Sequence, residues 1–84
     1  MKLRTEGLTW QEIDGELVIL DLAGSVYLTT NAAGAVLTKA LVEEQSEESL
    51  RALLVDTFGI SADVAAVDVA AFLDQLRAKR LLAV

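Results

Sequence analysis

Leu17-Val18-Ile19-Leu20-Asp21-Leu22, then Gly24-Ser25-Val26-Tyr27-Leu28-Thr29-Thr30, decides the fold of this chain. The first run is aliphatic, short and partly β-branched, which suits a strand better than a helix. Gly24-Ser25 turns the chain, and residues 26–30 are all good strand formers. Upstream, residues 8–13 (Leu-Thr-Trp-Gln-Glu-Ile) are β-prone, and Asp14-Gly15 is a strong hairpin signal because glycine takes positive φ at low cost. Three short strands joined by tight turns predict an antiparallel meander.

Downstream the pattern becomes helical. Thr30 or Asn31 can cap a helix, and residues 32–44 place Val36, Leu37, Ala40 and Leu41 at helical spacing. Ser46 starts a second helix, with Ser49 where a capping box prefers Glu. Leu50, Leu53, Leu54 and Phe58 form its apolar face, and Gly59 stops it. Ser61 caps a third helix over about 62–79, whose buried stripe is Ala65, Val69, Phe72, Leu73 and Leu76. Arg77, Lys79 and Arg80 close that helix, where cations complement its dipole. The tail Leu81-Leu82-Ala83-Val84 either returns along the sheet or packs under the helices. The expectation is an α+β fold: a three-stranded antiparallel sheet followed by three helices, winged-helix-like, in a single domain over 1–84.

Composition narrows the function. A domain of 84 residues buries only about 60% of the surface its unfolded chain exposes, so it needs a dense aliphatic core. The 54% hydrophobic content supplies one. Without cysteine there is no disulfide or thiolate site, and without histidine the commonest general base and metal ligand are missing. No nucleophile has an activating base, and the glycines match no phosphate loop. Glu43-Glu44 and Glu47-Glu48 read as a solvated helix junction. A net charge of −6 disfavours nucleic acid. No apolar run approaches the roughly 20 residues of a membrane span, and the N-terminus lacks the apolar core of a signal peptide. The expectation is a cytoplasmic protein without catalysis, cofactor or metal.

Two features point to binding. Val26-Tyr27-Leu28-Thr29-Thr30 has neither charge nor proline, the usual protection of a sheet edge. An unprotected edge is what strand addition by a peptide requires, unless the tail covers it. The third helix also has a second apolar stripe, Val64, Val67 and Ala71 with Ala70 beside it, which serves either as a wide core contact or as a groove. Trp10 reads as a core anchor or a lid over a sheet edge.

The aliphatic run ending Leu20-Asp21, then Gly24, Tyr27 and Asn31-x-x-Gly34, resembles the first half of PqqD-like proteins, the RiPP recognition elements. Asp68-Val69-x-x-Phe72-Leu73-x-x-Leu76, ending in Leu81-Leu82, resembles the second half. The resemblance runs from about Leu8 to Leu82. It implies three antiparallel strands on three helices, with the leader of a precursor peptide added along the third strand in a groove shared with the third helix. The peptide-binding positions it implies are Val26 to Thr30, with Val64, Val67, Ala70, Ala71 and Asp74. It also implies partners: a leader peptidase and an ATP-dependent cyclase in lasso-peptide biosynthesis, or a radical-SAM enzyme. Two positions depart from the pattern: Thr30, where members often carry Leu, and Ala32, where many carry Pro. A winged-helix DNA regulator is the competing expectation, opposed by Asp63, Asp68 and Asp74 along the third helix and Glu47 and Glu48 on the second. A toxin-neutralising or scaffold module remains a third.

Overall fold

The computed structural model describes residues 1–4 and 6–83. Its order is β1 (Leu8–Ile13), β2 (Glu16–Asp21), β3 (Val26–Thr30), α1 (Ala32–Ala40), α2 (Glu47–Phe58) and α3 (Ala62–Ala78). The strands form one antiparallel sheet in the order β1-β2-β3. This is the expected α+β arrangement of three strands followed by three helices.

Local chemistry explains each junction. Asp14 and Gly15 both take positive φ, 54° and 81°, as a two-residue hairpin turn matching the twist of its strands requires. In the second hairpin the left-handed residue is Ser25 (φ 55°), not Gly24. Gly24 is there for space: a Cβ would lie 2.8 Å from Asp21 Oδ2. At the strand-to-helix junction Asn31 is the cap, its side chain accepting the Gly34 N–H at 2.9 Å. Thr30 is buried and satisfies its hydroxyl by donating to the Leu17 carbonyl at 3.0 Å.

α1 is shorter than expected and ends at Ala40. The N-terminal segment competes for the backbone that would have continued it. Leu3 N–H donates to the Leu41 carbonyl and Gln45 N–H to the Met1 carbonyl. Leu41 is thereby fixed in the core. α2 starts with a complete reciprocal box: Ser46 and Ser49 each accept the other's backbone N–H at 3.0 Å, so Ser49 does the work of the usual Glu. Its apolar face is narrower than the sequence suggests. Leu50 and Leu54 are buried and Leu53 half-buried, but Phe58 in the last turn is exposed.

α3 buries the whole expected stripe, Ala65, Val69, Phe72, Leu73 and Leu76. Leu17, Ile19 and Leu28 meet this core from the sheet, with Trp10 half-buried against it. Beyond α3 the chain closes a Schellman motif, with Leu81 N–H bonded to the Leu76 carbonyl at 2.9 Å and Arg80 N–H to the Arg77 carbonyl at 3.1 Å. The left-handed position of that motif, usually glycine, is Arg80 (φ 58°). The tail packs Leu81 into the core with the helices, one of the two expected routes, and then runs against the N-terminal segment. Leu82 bridges Leu3, Arg4 N–H reaches the Leu81 carbonyl and Ala83 N–H the Lys2 carbonyl, so the two ends pair with each other. Val84 lies outside the described residues.

Candidate functional site

β3 is an edge strand: it pairs with β2 on one side and with no other strand of the described residues. A strand directs alternate backbone N–H and C=O groups to each side, so an edge leaves half of them without a partner strand. None of the five side chains of β3 carries a charge. Tyr27 and Thr29 point to the outer face of the sheet, while Leu28 and Thr30 point into the core.

Beside this edge runs a cleft made of three adjoining depressions. The largest, about 730 Å³, lies at the start of β3 between Val26, Gly24 and the end of α3. The next, about 520 Å³, follows Val26 to Thr29 and is bounded by Lys79. The third, about 370 Å³, lies where Thr29 and Thr30 face Ala71, Phe72 and Gln75. Val26 and Lys79 are shared by the first two, and Thr29 by the second and third, so together they line β3 from end to end.

The expected binding residues divide. Val26, Tyr27, Leu28, Thr29 and Thr30 all line the cleft, and Ala71 lines it from α3. Val64, Val67, Ala70 and Asp74 are exposed but do not line these three depressions. Helical geometry gives the reason for two of them: at about 100° per residue, Asp68, Ala71, Gln75 and Lys79 share one face, and Ala70 and Asp74 are turned more than 90° from its centre. Val67 lies at the margin of that face, and Val64 lies on it, one turn before Asp68. Asp74 instead approaches Arg77 at 3.5 Å.

Several cleft residues were not expected from the sequence: Asp68, Phe72, Gln75, Lys79, Arg80, Arg4 and Asp21. A signal for the first four was present, a 3- and 4-residue spacing flanking the core stripe. Phe72 belongs to both, being buried yet lining the cleft.

The broad end of the cleft is held by a buried carboxylate. Asp21 accepts from Arg4 Nη2 at 2.7 Å and from the Gly24 N–H at 3.2 Å, and Arg4 Nε donates to the Arg80 carbonyl at 2.7 Å. Arg4 thus ties the end of β2 to the end of α3. The Arg4 hydrogen bond, then the Gly24 N–H, hold the Asp21 carboxyl below its ordinary value, against the opposing pull of burial. Among the described residues no three His, Cys, Asp or Glu side chains are grouped to hold a metal, and no helix is long and apolar enough to cross a membrane. What the arrangement offers is an open backbone edge beside a cleft that is charged at its Val26 end and lined by Ala71 and Phe72 among polar side chains at its Thr30 end.

Comparison with known proteins finds a family and two solved structures. The family described as coenzyme PQQ synthesis protein D (PqqD) matches residues 16–82. The solved structure of TbiB1 in complex with the TbiA(beta) leader peptide is similar, with 26% identity, coverage of 98% of this chain and 94% of that one, and a TM-score of 0.83. That of lasso peptide synthetase B1 complexed with the leader peptide is 21% identical, covers 95% of this chain and 93% of that one, and has a TM-score of 0.78, a likeness of fold. No curated protein matches the chain.

Proposed function

This chain belongs to the PqqD family, and we propose that it is a single-domain peptide-recognition protein that holds the leader of a ribosomally made precursor as a strand added to β3. The observation that carries the reading is the bare edge of β3 lying along a cleft floored by α3. The leader's backbone pairs with the open N–H and C=O groups of β3, which gives affinity with little dependence on sequence. Side chains on one face of the leader enter the cleft, which gives selectivity. The solved TbiB1 complex with a leader peptide supports this.

The protein is non-catalytic, acts in the cytoplasm and hands the bound leader to separate enzymes. As the family resemblance implies, these are a leader peptidase and a cyclase. Val26 to Thr30 and Ala71 contact the leader. Val64, Val67, Ala70 and Asp74, exposed on α3 outside the three depressions, serve the outer part of the leader or the enzyme that receives it.

Calorimetric titration of the chain with synthetic leaders, drawn from short reading frames near its gene, tests the reading. Binding by wild type and its loss in Ala71→Glu are expected, with an unchanged melting temperature in that variant. Wild-type affinity in a folded Ala71→Glu contradicts it.

A further inference from the structure

The two ends of the cleft differ in charge. Four of the chain's seven Lys and Arg residues, Arg4, Arg77, Lys79 and Arg80, line the broad depression at the Val26 end against one carboxylate, Asp21. This concentration occurs in a chain of net charge −6. The narrow depression at the Thr30 end contains no cation and one acid, Asp68.

Two of the four cations are occupied. Arg4 is bound to Asp21 at 2.7 Å, and Arg77 lies 3.5 Å from Asp74 and 3.8 Å from Glu47. Lys79 and Arg80 form no ion pair with a carboxylate of the described residues. The helix dipole explains cations in the last turn, a role Arg77 already fills. It does not explain Arg80. This residue lies past the helix end, in a left-handed conformation that glycine adopts without strain. Its carbonyl, which Arg4 holds, would be supplied equally by glycine. A strained position at a cleft mouth, held by a cation that pairs with no carboxylate of the described residues, suits contact with a ligand.

Resting on the strand-addition reading above, we infer that Lys79 and Arg80 form a subsite for an acidic side chain, Asp or Glu, of the bound peptide at the Val26 end. The opposite end, beside Asp68, Ala71 and Phe72, takes an uncharged, largely apolar side chain. Asp68 and Lys79 are about 16 Å apart along the helix, at 1.5 Å per residue. An extended peptide covers that distance in about five residues, at 3.3 Å each. The recognised segment therefore has an acid at one end and an apolar anchor about five residues away. Backbone pairing alone is indifferent to sequence, so this polarity also selects the direction in which the strand is added.

A displayed library of random twelve-residue peptides, selected on the full chain, tests this. Wild type is expected to enrich peptides with Asp or Glu at a fixed spacing from an apolar residue. Replacing that acid by its amide in an enriched peptide should weaken binding at least threefold, and raised salt should do the same. In Arg80→Gly and in Lys79→Gln the same replacement should have little effect. Arg80→Gly should melt no lower than wild type, because glycine relieves the left-handed strain. This separates a recognition role from a structural one. Enriched peptides that bind but have no acid at a constant position overturn the subsite while leaving strand addition intact. Failure to recover any binder overturns strand addition and the subsite with it.

Discussion

The two edges of the sheet are built differently. β1 carries Glu12, which reaches across to Lys39 of α1 at 2.7 Å, and so sets an ion pair at its edge. β3 has no charged side chain, and a cleft runs beside it. Lys and Glu on an edge discourage stray pairing, and a bare edge invites it. One sheet thus has a guarded side and an open side, and only the open one adjoins α3. An exposed edge usually counts as a hazard, and the proposed strand addition turns this one, beside a side-chain cleft, to recognition.

The largest expected effect removes the support under the open edge. Phe72 is buried against the core and lines the cleft, so Phe72→Ala should cost about 3–5 kcal/mol and lower the melting temperature sharply. Thermal unfolding followed by circular dichroism reads it. A smaller loss should follow Gly34→Ala. A Cβ there would lie 2.7 Å from Thr30 Cβ and 3.2 Å from Phe72 Cε1, so α1 must shift away from the end of β3. Overpacking of this kind costs about 1–3 kcal/mol, measurable by urea unfolding.

The next effect separates binding from folding. Ala71→Glu should retain the wild-type melting temperature and lose at least about tenfold in leader affinity, or about 1.4 kcal/mol. Gln11→Lys, on the guarded edge, should change neither. Equal losses in both variants would erase the difference between the edges.

The smallest effect depends on pH. Because the Asp21 carboxyl is held below its ordinary value, the tie from Arg4 stabilises the fold fully above the ordinary carboxylate range. That stability is lost as the pH falls through the depressed value. The melting temperatures of wild type and Asp21→Asn should therefore differ at neutral pH and converge in acid. A gap that widens in acid would remove Asp21 from this role.

These residues also show what could be read from the sequence. Strands with Asp14-Gly15 between them, serine caps and the 3.6-period core stripe of α3 are local signals, and all reappear in the structure. The end of α1 is not local, because Leu3, more than thirty residues upstream, claims the Leu41 carbonyl. Phe58 follows the apolar pattern of α2 but lies in its last turn, where it is exposed. The cleft face of α3 was obscured because Asp68, Gln75 and Lys79 are polar, and a search for apolar stripes favours Val64 and Val67. Arg80 looks in sequence like one more cation at a helix end, and only its positive φ distinguishes it.

Hydrogen exchange with and without the synthetic leader addresses the open edge most directly. Amides of Val26 to Thr30 should gain protection on binding, while those of Leu8 to Ile13 on the guarded edge and of α2 should change little. Unchanged exchange across Val26 to Thr30 at saturating leader would contradict strand addition at β3.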